Sequence, residues 1–594
     1  MIVKMKKITL LVLEKQRADA LEGLRKLGIV HVKNIRTPSS ENLRLTDEII
    51  SLMEDALGLL KAHKPKGVTK RIRWKPHETA EKVREIAHIA REQDALLKDL
   101  QDTESELLWY KPWGGFDPND IKRFAKDGLF IKLYRANAKE TTQLRQRKDI
   151  KIINSDKHYV YFSHLSADEK AKLNYERVKL PSESFSSLCV KKESIHKRLG
   201  EIEATYRLYA PATAYMEEHL KELDKRHNFL SVMHGMKEEG KFSYLQGFAP
   251  ARNADSIKAF CKKEAIGYLL EEPDKPEEVP TLIQNPKWID IIRPVFTFMS
   301  TVPGYKEYDI SLIFLLFFSL FFAMLIGDAG YGLLFLITTF LVRRKFNKAP
   351  PQPFFLMYAL SFATVCWGAV TGTWFGVESI ARLPFFNSLV IEQISSFADN
   401  SQNFMIYICF TIGIIHLTIA HLMLILRIIN SLKALAEAGW IMVLWGLYFL
   451  AGTLVLSRPF PQFALYLIIV GSCLLILFTN FQKNILKGIA KSLTDIPLKI
   501  ISSFGDIVSY IRLFAVGYAT VVLATTFNSM AAGLGFNNII SGLGASIILL
   551  LGHGLNIILG FMAVIVHGVR LNMLEFSGQM GMEWSGKEYS PFKE

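Results

Sequence analysis

Between Arg512 and Arg570 the chain runs for 57 residues without one Lys, Arg, Asp or Glu. A soluble domain rarely hides so long an uncharged stretch, whereas a bilayer core of about 30 Å asks for about 20 apolar residues per crossing helix. Two helices fit, at about 500–533 and 540–577, with Gly533, Gly535, Asn537 and Asn538 marking the turn between them. Runs without full charge at 354–377, 403–426, 438–457 and 459–482 make four more passes. The rest of the chain is different. Of 128 charged side chains, 100 fall in residues 1–308 and 28 in residues 309–594. A polar half joined to an apolar half excludes a wholly soluble enzyme, a disordered regulator and a secreted domain stapled by disulfides. The five cysteines (Cys189, Cys261, Cys366, Cys409, Cys473) are scattered and read as small buried apolar side chains.

The run 310–342 carries one charge, Asp328, inside Gly327-Asp328-Ala329-Gly330-Tyr331-Gly332. As one helix it would be about 50 Å long, too much for a single bilayer, and the three glycines mark a break at its middle. A hairpin here returns Arg343, Arg344, Lys345 and Lys348 to the cytoplasm, where later connections add Arg427, Lys433, Lys483, Lys487, Lys491 and Lys499. The outside connections then hold only Arg382 and Arg458, as the positive-inside rule asks. A single pass would invert every later loop. The expectation is an α-helical membrane domain of eight spans over 306–594, with both termini cytoplasmic.

Residues 1–305 read as an α+β cytoplasmic arm. Strand-like Ile8, Leu10 and Val12, helical Ala18, Leu21, Leu24 and Leu27, then Ile29, Val30 and Val32 make a βαβ start. Leu45, Ile49, Leu52, Ala56 and Leu59, and later Val83, Ile86, Ala90, Leu97, Leu100 and Leu107, keep a heptad with a gap at Gln93. Leu188, Ile195, Leu199, Ile202, Tyr206 and Tyr209 share that period, so antiparallel coiled-coil shafts joining two small α/β lobes are expected. The second lobe takes strands near Leu129–Tyr134 and Tyr159–Phe162. Phe242–Pro250, a helix after Ala254 and a strand near Ile266–Leu270 complete the lobe near the membrane, and Pro273, Pro276 and Pro280 mark a linker. The net charge of +14 does not point to nucleic acid, because the cations lie among abundant acids or between apolar runs. Charge at Lys4, Lys6 and Lys7 interrupts the start before any signal-length apolar core, so no secretory signal is expected.

Catalytic chemistry is not evident. Gly581 to Lys587 nearly matches a phosphate-binding loop, but Glu588 stands where a Ser or Thr must meet magnesium, and a membrane helix precedes the loop rather than a strand. No cysteine pairing, His-Glu-x-x-His or Gly-x-Ser-x-Gly spacing suggests a metal or a nucleophile, and no cofactor is implied.

What remains are charges that a bilayer should not tolerate, each a functional hypothesis by default. Arg512 sits in Ser509-Tyr510-Ile511-Arg512-Leu513, about a third of the way along its helix. On the last helix His553, Asn556, His567 and Arg570 fall within an arc of about 100°, with Glu575 at its edge, a polar stripe able to hold water and relay protons. Asp506 projects about 120° from Arg512, so an intrahelical pair is not expected.

These residues resemble the large membrane stator subunit, subunit a or I, of V-type and A-type rotary ATPases. The matching pieces, in family order, are Pro280-Thr281-Leu282 with Asn285, the Gly327–Gly332 motif, Ser509–Leu513, His567-Gly568-Val569-Arg570-Leu571 with Glu575, and Tyr589-Ser590-Pro591-Phe592. The resemblance implies that Arg512 and Arg570 face a rotor ring of proteolipid subunits. His567, Asn556, His553, Glu575, Asp506 and Asp328 are the further candidates for the ion path. It also implies that the arm holds peripheral stalks and meets the central-stalk cap, while the ATPase head is on other chains. The chain departs from the family at Gly560 and Leu498, where glutamates are frequent, and at Thr520, where eukaryotic members can have histidine. Gly560 is read as leaving room for water, and the two stripe histidines favour protons over sodium. A secondary transporter with a cytoplasmic sensing domain and a non-transporting membrane scaffold are the alternatives. The absence of an internal repeat among the spans weighs against the first, and Arg512 against the second.

Overall fold

The computed structural model describes the chain except for residues 64–71, 399–400, 481–484, 536–537 and 594, and except for the side chains of 76–77 and 485–488. Lys483 and Asn537, and the side chain of Lys487, lie outside the described residues. Two compact units emerge. One takes Met1–Thr9, Ile29–His31 and Gly247–Pro591, the other Leu10–Gly28, Val32–Gln246 and Phe592–Glu594.

The expected βαβ start is present as β1 (Met5–Leu13), α1 (Arg17–Leu27) and β2 (His31–Lys33), with α1 ended by Gly28 at φ +63°. Two long helices follow, α2 (Glu41–Ala62) and α3 (Pro76–Tyr110). Ser40 caps the first, its hydroxyl accepting from the Leu43 N–H at 3.1 Å. The second lobe is a four-stranded sheet of β3 (Phe130–Asn137), β4 (Ile150–Ser155), β5 (Tyr159–Ser166) and β6 (Glu176–Arg177) in the order β4-β5-β3-β6, cored by Tyr134, Val160 and Phe162. The return helices are α4 (Phe185–Tyr209) and α5 (Thr213–Gly235).

Ion pairs show the direction of the shafts. Lys192–Glu104 at 2.6 Å and Arg198–Glu92 at 2.6 Å set α4 antiparallel to α3, and Lys61–Glu217 and His227–Asp47, both at 2.7 Å, do the same for α2 and α5. The polar gap at Gln93 is filled by Tyr206, whose hydroxyl donates to Gln93 Oε1 at 3.1 Å. The heptad register differs from expectation. Leu45 and Leu97 are exposed, while Met53, Ala56, Leu57, Leu60, Val83 and Ile86 form the core with Ile202, Tyr206 and Met216. Helix α3 packs on both α2 and α4, so its apolar face is broader than a two-helix seam.

Strands β7 (Lys237–Glu239), β8 (Phe242–Pro250) and β9 (Gly267–Glu271), with α6 (Ala254–Lys263), complete a sheet ordered β2-β8-β1-β9, with β7 beside β8. Further on, β10 (Pro280–Thr281) pairs in parallel with β11 (Lys587–Glu588), which binds the chain's tail to the linker.

The apolar half contains α7 (Ser311–Ile326), α8 (Ala329–Lys345), α9 (Pro351–Thr371), α10 (Ser401–Arg427), α11 (Lys433–Leu456), α12 (Gln462–Phe478), α13 (Ile485–Ser509), α14 (Ile511–Leu534) and α15 (Ile539–Gln579). Among the described residues five helices are long and apolar enough to cross a bilayer, or six if the bent pair α7–α8 is one span. That pair bends by 119° at Gly327, whose φ of +68° a side chain would strain. A Cβ on Gly368 would come within 2.1 Å of the Ala329 nitrogen, so only glycine lets α9 approach the break this closely. Helices α13 and α14 run as one 46-residue candidate span, Ile489–Leu534, broken at the buried Tyr510. All five cysteines are free, and Cys189, Cys366 and Cys473 are exposed rather than buried as expected.

Candidate functional site

Helix α15 is α-helical as far as Ala563, and then π-helical turns over Val564–Gly568 and Leu571–Phe576 bracket Arg570. Residues five apart lie about 140° apart on an α-helix, whereas a π turn bonds i to i+5 and stacks them. Glu575 is thereby brought beneath Arg570, with Oε1 3.4 Å from the Arg570 Nε. Arg512 enters from α14, two residues past the break at Tyr510, and its Nη2 reaches the same oxygen at 3.0 Å while its Nε donates to the Ser509 carbonyl at 3.1 Å. The Glu575 side chain is 3% exposed, against 24% for Arg512 and 51% for Arg570. One buried carboxylate thus serves two guanidiniums.

Two polar clusters flank this triad. In the first, His421 on α10 bonds through Nδ1 to Glu437 Oε2 on α11 at 2.7 Å and through Nε2 to Gln579 Oε1 at 3.2 Å. Gln579 Nε2 donates to Asp506 Oδ2 at 2.6 Å and to Ser503 Oγ at 3.1 Å. Asp506 therefore pairs with α15 and not with Arg512, as its projection suggested. In the second cluster, Tyr331 and Asn528 bond to His553 Nδ1 and Nε2 at 2.6 and 3.0 Å. Asn556 donates to the Tyr331 hydroxyl at 3.1 Å and to the Thr520 carbonyl at 2.8 Å. A small cavity of about 30 Å³, room for about one or two waters, opens beside Gly327, Thr371, Ser401, Gln402 and Tyr518.

The stripe read along α15 is thus divided. Asn556 and Arg570 are about 21 Å apart along the helix, and the π turns change its phase between them. His567 joins neither cluster, and its Nδ1 is buried without a hydrogen-bond partner among the described residues. The carboxylate of Asp328 is held by backbone donors. Its Oδ1 accepts the N–H groups of Gly330, Tyr331 and Phe375 at 2.7, 3.2 and 2.9 Å, and its Oδ2 that of Gly376 at 2.9 Å, which caps α8 and pins the loop after α9. Gly560 does not open a space for water, because Ile326 fills it and a Cβ there would lie 2.9 Å from Ile326 Cδ1. Sequence reasoning missed His421, Glu437, Gln579 and Asn528. A histidine inside the uncharged run 403–426 and a glutamate at the edge of the next were signals available for the first two.

No family model matches the chain. A curated relative from Borreliella burgdorferi, V-type ATP synthase subunit I, is 33% identical over 100% of this chain and 99% of its own. The chain belongs to the V-type/A-type ATP synthase subunit I family. V-type ATP synthase subunit I 1 of Treponema pallidum is 32% identical, with 100% of each chain covered. A-type ATP synthase subunit I of Methanocaldococcus jannaschii is 29% identical over 59% of this chain and 55% of its own. A solved cytoplasmic N-terminal domain of subunit I, homolog of subunit a, of V-ATPase covers 45% of this chain and 99% of its own at a TM-score of 0.23 and 11% identity. Family membership and the apolar helices together make this a multi-pass membrane subunit of such an ATP synthase.

Proposed function

We propose that this chain is the ion-translocating stator subunit, with Arg512 and Arg570 facing a proteolipid rotor ring and no ATP chemistry of its own. The observation that carries this reading is the convergence of Arg512 and Arg570 from two helices on one buried carboxylate, between two separate polar clusters. A rotor carboxylate crosses lipid only when neutralised by its ion, and a guanidinium stays charged at any accessible pH. A carboxylate arriving at Arg512 is therefore favoured in its ionised form and releases its ion. The cluster Glu437–His421–Gln579–Asp506 serves as the cytoplasmic half-channel, and Tyr331, His553, Asn556 and Asn528 serve as the outer one. Offset around the arginines, these paths make an ion ride the ring rather than leak across. His421, His553 and Tyr331 are groups that exchange protons, which supports protons over sodium.

In this reading the membrane domain has eight spans, with α7 and α8 as a hairpin, α12 as a short span and both termini in the cytoplasm of a prokaryotic cell. The arm over residues 1–305 anchors peripheral stalks, meets the central-stalk cap and holds the ATPase head through them. Arg512→Ala should leave the complex assembled while abolishing ATP-driven ion uptake into vesicles. Normal coupled uptake by an assembled Arg512→Ala complex would refute the assignment.

A further inference from the structure

Two guanidiniums sharing one oxygen inside a membrane domain need a reason beyond attraction. Glu575 Oε1 takes both, and Oε2 is buried with no hydrogen-bond partner among the described residues. The carboxylate is held in place from both sides. Phe576, the next residue, stacks on the fully buried His416 at 4.3 Å and 8°, and His416 Nδ1 bonds at 2.8 Å to the hydroxyl of Tyr510, the residue that breaks the helix before Arg512. One imidazole therefore locks the π turn carrying Glu575 to the break carrying Arg512. Arg570, half exposed, has no such lock.

We propose that Glu575 is the resident counter-ion of the arginine pair, holding Arg512 in place and yielding Arg570 to each incoming rotor carboxylate. This rests on the reading that Arg512 and Arg570 face the rotor. With Glu575 present the triad carries one net positive charge, and an arriving ionised carboxylate brings it to zero. Without Glu575 the arginines carry two, and the arriving carboxylate is over-stabilised in its ionised form, so reloading it needs a higher ion concentration. The other titratable groups near the carboxylate are Asp506 and Tyr510 at the helix break, His567 on α15 and His416 on α10. Asp506 is the other carboxylate among these, and its Oδ2 accepts from Gln579 Nε2 at 2.6 Å rather than from either guanidinium.

The test uses the intact complex in vesicles, with ATP-driven uptake measured against ion concentration, as pH or as sodium. Glu575→Gln should raise the concentration giving half-maximal uptake about tenfold, and Glu575→Asp should keep it near that of the parent protein. Arg570→Gln, which removes a cation instead, should move it the opposite way. A Glu575→Gln complex whose maximal rate falls with an unchanged half-saturating concentration would overturn the proposal, and so would shifts of the same sign for Glu575→Gln and Arg570→Gln. If Glu575→Gln does not assemble, Arg570→Gln decides: a lower half-saturating concentration supports the proposal, and an unchanged or higher one overturns it. Arg512→Ala in the same vesicles separates the two readings, since normal pumping there removes the rotor-facing assignment itself.

Discussion

Asp328 offers a measurement that tells scaffolding from ion transport by arithmetic. Its Oδ1 accepts three backbone N–H groups and its Oδ2 one. Asp328→Asn keeps the carbonyl oxygen for the first three and turns an NH2 group toward the Gly376 N–H, so one donor is orphaned. Asp328→Ala orphans four. Each buried N–H left without an acceptor costs about 1–3 kcal/mol, and both variants relieve the same cost of burying a charge. That relief cancels in the comparison. Alanine should therefore be less stable than asparagine by three donors, about 3 kcal/mol at the low end, or more than a hundredfold in the unfolding equilibrium.

The assay is unfolding of the purified chain by SDS titration in mixed micelles, with ion uptake by the reassembled complex measured alongside. A structural Asp328 puts asparagine above alanine in stability, and Asp328→Asn retains uptake in proportion to the folded protein. If Asn and Ala unfold at the same point as the parent while both abolish uptake, the carboxylate belongs to the ion path and the capping account is wrong.

Three further outcomes are expected. Gln579→Leu cuts the bridge between His421 and Asp506 and should lower ATP-driven uptake about a hundredfold in an assembled complex, the low end of the loss when a positioned proton-transfer step is removed; an unchanged rate would remove this cluster from the path. At the tail, the neutral His31 accepts the Ser590 N–H on Nδ1 at 3.1 Å, and burial lowers the His31 pKa, aided by Lys587 and opposed by the bond that a protonated Nδ1 donates to the Ser590 carbonyl. A lowered histidine stabilises docking fully above its unfolded value of about 6.5 and loses that contribution as pH falls, so the protection factors for hydrogen exchange at 586–590 should fall from pH 8 to pH 5. Equal protection at both would refute the account. Replacing 32–246 by a short glycine linker should spare β10, β11 and membrane insertion but release the peripheral stalks, and stalk retention would count against the docking role of the arm.

What could be read from the sequence was whatever a local period encodes. Uncharged runs placed the apolar helices, the Gly327 break needed no partner to be seen, and the alternation of residues 4–35 announced β1, α1 and β2. The register of the shafts was lost because α3 packs on two neighbours, which a single seam cannot represent. The triad failed to appear for another reason. A 100° period places Glu575 about 140° from Arg570, and only the π turns over Leu571–Phe576 put both on one face. No residue in Leu571-Asn572-Met573-Leu574 announces such a turn by its own propensity. Tertiary contacts meet there instead, since Phe576 must stack on His416 while Glu575 meets Arg512, 63 residues earlier in the chain. The same holds for His421, whose partners are 16 and 158 residues away. A helix that gains one residue per turn where it carries its charges, and nowhere else along its length, has traded α-helical hydrogen bonding for the position of a carboxylate. That trade makes Glu575, rather than either arginine, the residue whose placement the local backbone is bent to serve.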